Sequence, residues 1–435
     1  MRMLIWILAA GIALSSSASN LFSEDIEKSF VLAKKNKKPL IINFYGIWCP
    51  PCNEMKETVY VSPAFIQKSK SFVLLQVDAD KKESWKIKDR YKVGGYPTIL
   101  FTNSLGEEIY RVVGYRSPEE FSKSMDLVLA SKGRPAAKAC SSKSTDDLWR
   151  CAQSCMEKKD HACATKAFHS LASQLKPRTP RYEIMRSYLA DHSENVDLKV
   201  KAFEGLLQDY PDSPYSVIWA LSYWEAVQEQ KVTTPKKELL EKVLQEYPKM
   251  KTDLRLEALG LTPTDLAQLR AEILGRLEKK EEAKAAWKEA AELLKKTAAE
   301  LPAGVTDRGF MIEQITCLDL AGETDMALNL ASQYQAKFPN EFTFHYIAAS
   351  ILEKKKRYNE ALPIAQKSYD TSYGDNRIRA AILLIKLYGT ASNKDAARKV
   401  YVDIKKEIAP ETKLEVRTHR YLKQLDEVWG RIEKS

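Results

Sequence analysis

Residues 22–131 mix two periodicities. Residues 25–35 are polar with Ile26, Phe30, Val31 and Ala33 near helical spacing, whereas 39–45 (PLIINFY) form a short, almost wholly apolar run of the kind buried on both faces of a sheet. A helix is expected after Pro51. Residues 72–79 (FVLLQVDA) read as a second buried strand, 82–91 as a short helix and 98–102 (TILFT) as a third strand. Asn103, Ser104 and Gly106 supply turn chemistry, so the third strand and residues 107–113 should form a hairpin. Ser117-Pro118-Glu119-Glu120 then starts a helix, with Ser as cap, Pro at the first helical position and Glu three residues after the cap. The expected order is helix, strand, helix, strand, helix, strand, strand, helix.

Residues 132–147 (KGRPAAKACSSKSTDD) lack periodicity and read as a linker between a domain at 20–131 and another at 148–435. Beyond it only helical spacing occurs, in pairs. Ala283, Ala327, Ala361 and Ala396 lie inside helical runs, the last three 34 and 35 residues apart, the period of a two-helix repeat. Tyr210-Pro211, Tyr247-Pro248 and Phe338-Pro339 are expected to end helices. These features resemble tetratricopeptide (TPR) repeats, in which a small residue lets two helices approach closely. The Trp, Gly and Tyr positions of the first helix are mostly unmatched, and a solenoid of other helical pairs is the alternative. Either implies a long concave surface for a protein partner. Tyr215, Trp219, Tyr223 and Trp224 are its candidate aromatic contacts, with a place in the core as the competing reading.

The first nineteen residues stand apart. Arg2, the apolar run 4–14 and the small, polar run 15–19 make residues 1–19 a secretory signal. The apolar run is about half of the roughly 20 residues that a spanning helix needs; a membrane anchor is the rival reading. No later segment is uniformly apolar for that length, so no stable membrane insertion is expected, and the mature chain should be periplasmic or secreted. At 435 residues and 44% hydrophobic the chain is too long for one core and too apolar for disorder. The net charge of +10 would matter if concentrated, but Lys and Glu alternate along the helices, which describes a solvated surface and no nucleic-acid partner. Export makes the seven cysteines disulfide or redox candidates before metal ligands.

Trp48-Cys49-Pro50-Pro51-Cys52 follows a buried strand and opens a helix. A thiolate there is stabilised by unpaired backbone N–H groups and the positive end of the helix dipole, which lowers its pKa below about 8.5. Cys49 is therefore the candidate attacking sulfur and Cys52 the more buried resolving one, which displaces a substrate from Cys49 and leaves Cys49–Cys52 oxidised. The alternatives are an inert disulfide and half of a zinc site, which would need a second ligand pair in the same domain. Neither a metal nor any cofactor beyond the Cys49–Cys52 disulfide is expected.

With Phe44-Tyr45 before this motif, Val77-Asp78, Tyr91, Gly95-Tyr96-Pro97-Thr98 and Val113-Gly114 after it, residues 22–131 resemble a thioredoxin-fold domain. Residues 55–59, Ser62-Pro63 and 73–78 are most similar, within that family, to the C-terminal periplasmic domain of DsbD-type disulfide-reductase relay proteins. The resemblance implies an α/β thioredoxin fold ahead of the all-α, TPR-like solenoid. It also implies a cis-proline at Pro97 that lies against the redox cysteines, and a substrate site made by Trp48, Tyr96 and Thr98. Two residues depart from thioredoxin. Asn43 stands where thioredoxin has a buried Asp that moves the resolving thiol's proton, and an amide cannot titrate. Pro50 replaces a Gly and removes an N–H. Glu54 and Glu57 are read as a solvated helix face.

Cys140, Cys151, Cys155 and Cys163 allow three pairings. If helices flank the turn 158–160, Cys155 and Cys163 are equidistant from it, which favours Cys155–Cys163 and leaves Cys140–Cys151. The hairpin also resembles the disulfide-linked helical pairs of secreted Sel1-like repeat proteins. A metal site using His161 or His169 and a second redox pair are the alternatives. Cys317 reads as a buried core residue, and His192, His345 and His419 as isolated. The whole describes a thiol–disulfide oxidoreductase with protein substrates and a redox partner protein, biased towards reduction. An oxidase or isomerase, or a non-catalytic repeat scaffold, are the competing classes.

Overall fold

The computed structural model describes residues 21–46, 49–79, 81, 84–135, 139–230, 234–301, 307–372, 374–408 and 416–434. The signal segment and Trp48 lie outside them. The chain divides into two compact units with the main boundary between Pro135 and Ala136.

The first unit runs α1 (Ile26–Asn36), β1 (Leu40–Tyr45), α2 (Pro50–Thr58), α3 (Pro63–Ser69), β2 (Val73–Asp78), α4 (Trp85–Tyr91), β3 (Thr98–Thr102), β4 (Glu108–Val113) and α5 (Pro118–Ala130). The strands form one sheet of order β2-β1-β3-β4, in which β1 and β2 are parallel and the other pairs antiparallel. Alternation along β1 sorts the core into two layers. Ile41 joins Met55 of α2, Val59 just after it, Phe65 of α3, and Phe121 and Met125 of α5 on one face. Leu40, Ile42 and Phe44 meet Ala33, Ile87 and Tyr91 of α1 and α4 on the other.

Two expectations need correction. Residues 72–79 were expected to be buried on both faces, yet β2 is an edge strand whose burial alternates, with Val73, Leu75 and Val77 inward. An apolar run records hydrophobicity but not its place in the sheet order. The expected order also lacked α3, although its start was written in the chain: the Ser62 hydroxyl accepts the Phe65 N–H, and Pro63 opens the helix. At α5 the reciprocal cap forms as expected between Ser117 and Glu120.

The second unit is all helical among the described residues: α6 (Thr145–Glu157), α7 (His161–Leu171), α8 (Pro180–Asp191), α9 (Val196–Asp209), α10 (Ser216–Gln230), α11 (Lys237–Met250), the single turn α12 (Leu256–Leu259), α13 (Pro263–Arg276), α14 (Lys280–Ala299), α15 (Arg308–Leu320), α16 (Thr324–Lys337), α17 (Phe342–Lys354), α18 (Tyr358–Thr371), α19 (Gly374–Thr390), α20 (Lys394–Ile408) and α21 (Val416–Lys434). Successive helices pack against one another, most closely in α13/α14, α17/α18, α6/α7, α14/α15, α9/α10 and α19/α20. The fourth residue of each later second helix is a buried alanine: Ala283, Ala327 and Ala361, then Ala397. The sequence spacing pointed to Ala396, which is only half-buried, one residue out of phase.

Tyr210 and Phe338 cap α9 and α16 as expected, but Pro248 lies inside α11, which continues to the fully buried Met250. The linker is shorter than 132–147, since α6 begins at Thr145 with Asp146 and Asp147 in its first turn, where acidic groups suit the helix dipole.

Candidate functional site

β1 delivers the redox motif. Its last residues are Phe44 and Tyr45, and five residues after Phe44 comes Cys49, directly before α2; Cys52 is the third residue of that helix. Pro50 and Pro51 occupy the first two helical positions, where the missing N–H groups would have had no intrahelical partner. Of the first three helical positions only Cys52 carries an N–H. Cys49 and Cys52 are both disulfide-bonded. The other four bonded cysteines pair among themselves and Cys317 is free, so the bond is Cys49–Cys52. The two residues are 2% and 5% exposed. The expected contrast between an open attacking sulfur and a buried resolving one is therefore absent in this oxidised form.

The second part of the site comes from β3. Thr98 pairs with Phe44 across the antiparallel β1–β3 ladder, so the loop that precedes β3 and the loop that follows β1 leave the same end of the sheet. That loop carries a cis peptide between Tyr96 and Pro97. The Pro97 carbonyl accepts the Gly114 N–H at 2.9 Å, and the Thr98 hydroxyl donates to the Gly95 carbonyl at 2.8 Å. Thr98 is buried and Tyr96 half-buried. The Thr98 side chain is therefore spent inside the loop, and of the expected substrate contacts it is Tyr96 that keeps exposed surface. Trp48 lies outside the described residues.

Around this end the polar groups are fixed. Asn43 alternates onto the Ile41 face, the face covered by α2, and is 6% exposed with its Oδ1 lacking a hydrogen-bond partner. Glu57 is exposed as expected, but Glu54 is 2% exposed, a correction that the i+3 spacing from Pro51 conceals. Tyr115 and Thr58 pair their hydroxyls at 3.3 Å. Lys88 is buried and its Nζ donates to the Ala79 carbonyl at 2.7 Å, holding α4 to the end of β2. Burial raises the Tyr45 phenol above its ordinary pKa, with the Asp78 carboxylate adding to the effect.

In the second unit Cys140 pairs with Cys151 and Cys155 with Cys163, with Cα separations of 5.1 and 5.7 Å inside the usual disulfide range. Of the other readings, the aromatic group resolves to its core alternative, that of His192 changes and that of Cys317 holds. Trp219 and Tyr223 are fully buried and Tyr215 and Trp224 pack on the same cluster, so this group is core and not a binding surface. His192 is not isolated: it stacks on Tyr188 with centroids 4.0 Å apart and lies 4.4 Å from His161. His161 in turn bonds the Tyr188 hydroxyl at 2.9 Å. Cys317 is 1% exposed, and burial pushes its thiol up to about 12.

A disulfide at the head of a helix and a cis-proline strand start, both at one end of a four-stranded mixed sheet, define a class. Residues 26–129 match the thioredoxin-like domain family and form a thioredoxin-like domain. The same stretch is similar to the thiol:disulfide interchange protein DsbD of Vibrio vulnificus, 32% identical over 102 residues, which are 22% of this chain and 17% of that protein. The chain thus spans about a sixth of the length of the curated relatives it matches. Among solved structures it is similar to a thioredoxin from Thermus thermophilus, with 28% identity, 26% of this chain, 90% of that one and a TM-score of 0.25. A tetratricopeptide repeat protein from Parabacteroides merdae is 13% identical over 65% of this chain and 99% of that one, with a TM-score of 0.33. The helical hairpins with their repeated buried alanine make the second unit TPR-like. No helix among the described residues is long and apolar enough to cross a membrane.

Proposed function

We propose that this chain is an exported thiol–disulfide oxidoreductase, periplasmic or secreted, that reduces disulfides of protein substrates through Cys49 and Cys52. The observation that carries the reading is the Cys49–Cys52 disulfide at the N-terminus of α2, at the same sheet end as the cis Tyr96–Pro97 bond. In the reduced state the Cys49 thiolate attacks a substrate disulfide. One substrate sulfur leaves and takes a proton, and a mixed disulfide forms. Cys52 then gives up its proton, attacks Cys49 and releases the second substrate thiol, which restores Cys49–Cys52. A dithiol of a redox partner protein supplies the two electrons and two protons for the next round. No dissociable cofactor takes part. Tyr96 and the backbone around Pro97 hold the extended substrate, and the repeats dock the substrate or the partner.

Reduction is preferred because the DsbD resemblance extends through the motif and its flanks; the scaffold polarity of thioredoxin-fold proteins spans about 150 mV, so the midpoint decides. The test is a Cys52→Ala variant expressed in the native compartment together with a redox titration of Cys49–Cys52. Covalent Cys49-linked proteins should accumulate, and the midpoint should fall near −250 mV or below. A midpoint near about −120 mV would overturn the direction and make the chain an oxidant. Failure to accumulate any mixed disulfide, with Cys49→Ser retaining the biological role, would leave the scaffold reading, which Asn43 favours because an amide cannot carry a proton where thioredoxin has an Asp.

A further inference from the structure

The four cysteines of the second unit form one cluster. Cys151 and Cys155 are separated by one helical turn on α6 and so share a face. Cys163 lies in the first turn of α7, and Cys140 is brought in from before α6. Their four sulfurs all lie within 4.8 Å of one another. Two structural disulfides do not require this, because a bridge constrains its own pair and says nothing about its distance to another. A single tetrahedral metal ion does require it: with Zn–S bonds of about 2.3 Å the sulfurs of a tetrathiolate site are about 3.8 Å apart. Iron–sulfur clusters of two or four irons distribute their cysteines around a larger body.

The surroundings suit thiolates. The Cys163 N–H donates to the Asp160 carboxylate, which caps α7, and the Cys155 carbonyl accepts the Asp160 N–H, so one residue fixes two ligand-bearing segments. The first-turn position of Cys163 places its sulfur at the positive end of α7. Cys151 and Cys155 are buried with Ala139, Leu148, Ala152 and Ala164, which keeps water from one side, while half-buried Cys140 and Cys163 leave a route in.

We propose that Cys140, Cys151, Cys155 and Cys163 are a redox-controlled zinc site, closed on one Zn2+ when reduced and emptied when oxidised to the two disulfides. Each disulfide takes two electrons and two protons from a dithiol, which itself becomes a disulfide. Zn2+ then binds the four thiols and displaces their four protons. In reverse, two protein disulfides accept the four electrons, and the ion leaves as the bonds Cys140–Cys151 and Cys155–Cys163 re-form.

The experiment uses the mature chain carrying Cys49→Ser and Cys52→Ser, so that only this cluster contributes. The protein is reduced with a phosphine without air, freed of reductant and titrated with Zn2+ or Co2+. The expected result is one zinc per chain by native mass spectrometry, the strong visible bands of tetrahedral cobalt thiolate, and no metal on the oxidised protein. A further Cys140→Ser and Cys163→Ser pair should weaken binding at least about 100-fold. Far-UV circular dichroism accompanies each step. A reduced chain that stays folded without taking metal, one that unfolds and is not restored by zinc, or binding that survives loss of Cys140 and Cys163 would each overturn the site.

Discussion

Asn43 is where a single atom decides the chemistry. Its buried Oδ1 has no hydrogen-bond partner, so the site accommodates a carboxylate in shape but offers its charge nothing. In Asn43→Asp the new carboxyl has its folded pKa raised by burial above the unfolded value. Its stabilising share is present at low pH and is lost as pH rises through the folded pKa. We expect the variant to lose about 1–3 kcal/mol between pH 5 and pH 8 by denaturant titration, and its rate of Cys49–Cys52 reduction to gain a titrating limb. Cys317 is the opposite case. With its thiol pushed up to about 12 and sealed in the core, it should resist iodoacetamide in the folded protein at pH 8 and react only after denaturation, as read by mass spectrometry.

Helices are held by small residues and by ion pairs between neighbours. Because Ala397 is fully buried and Ala396 half-buried, Ala397→Leu should cost about 1–3 kcal/mol in urea unfolding and Ala396→Leu less than about 0.5, which fixes the phase of the last repeat. On α8, buried Glu183 accepts from Ser213 and from Arg255 at 2.7 and 2.8 Å, yet burial still raises its pKa above the usual carboxylate range. The folded state therefore binds the Glu183 proton more tightly than the unfolded chain does, and Arg255→Ala strengthens that difference. The loss should be small near pH 4 and reach about 2–4 kcal/mol at pH 8, measured by guanidinium unfolding at both values. Along the repeats, Arg178–Asp212, Lys288–Glu323 and Arg357–Asp325 pair residues 32 to 35 apart, so basic charge is spent between neighbouring repeats. Each exposed pair is worth little alone.

These elements show what the chain discloses. The sheet strands and the cap at Ser117 were legible because each rests on local chemistry, unbroken apolar runs and a serine–proline start, whereas the cis-proline loop was legible through the thioredoxin resemblance. Edge position of β2, burial of Glu54 and the phase of Ala397 were not, because they depend on which neighbour covers a face. The proximity of four sulfurs was half legible. Spacing gave two pairs, but only three dimensions gave their shared centre.

For the molecule as a whole, the bridges Cys140–Cys151 and Cys155–Cys163 close segments of 11 and 8 residues. Loop entropy assigns each about 2.5–3 kcal/mol of stability. Phosphine reduction without metal should lower the thermal midpoint of the intact chain by calorimetry, and the same fall should persist in Cys49→Ser with Cys52→Ser, where the redox motif has no bond to lose. The sealed Cys317 has a last consequence, one of parity. All other cysteines are paired, so the number of sulfhydryls a folded chain offers to a colorimetric reagent runs through even integers: zero when fully oxidised, two after one bridge opens, six when all have opened. A substrate caught midway on Cys49 leaves one partner thiol behind, and an odd integer on the folded chain becomes the signature of the exchange intermediate itself.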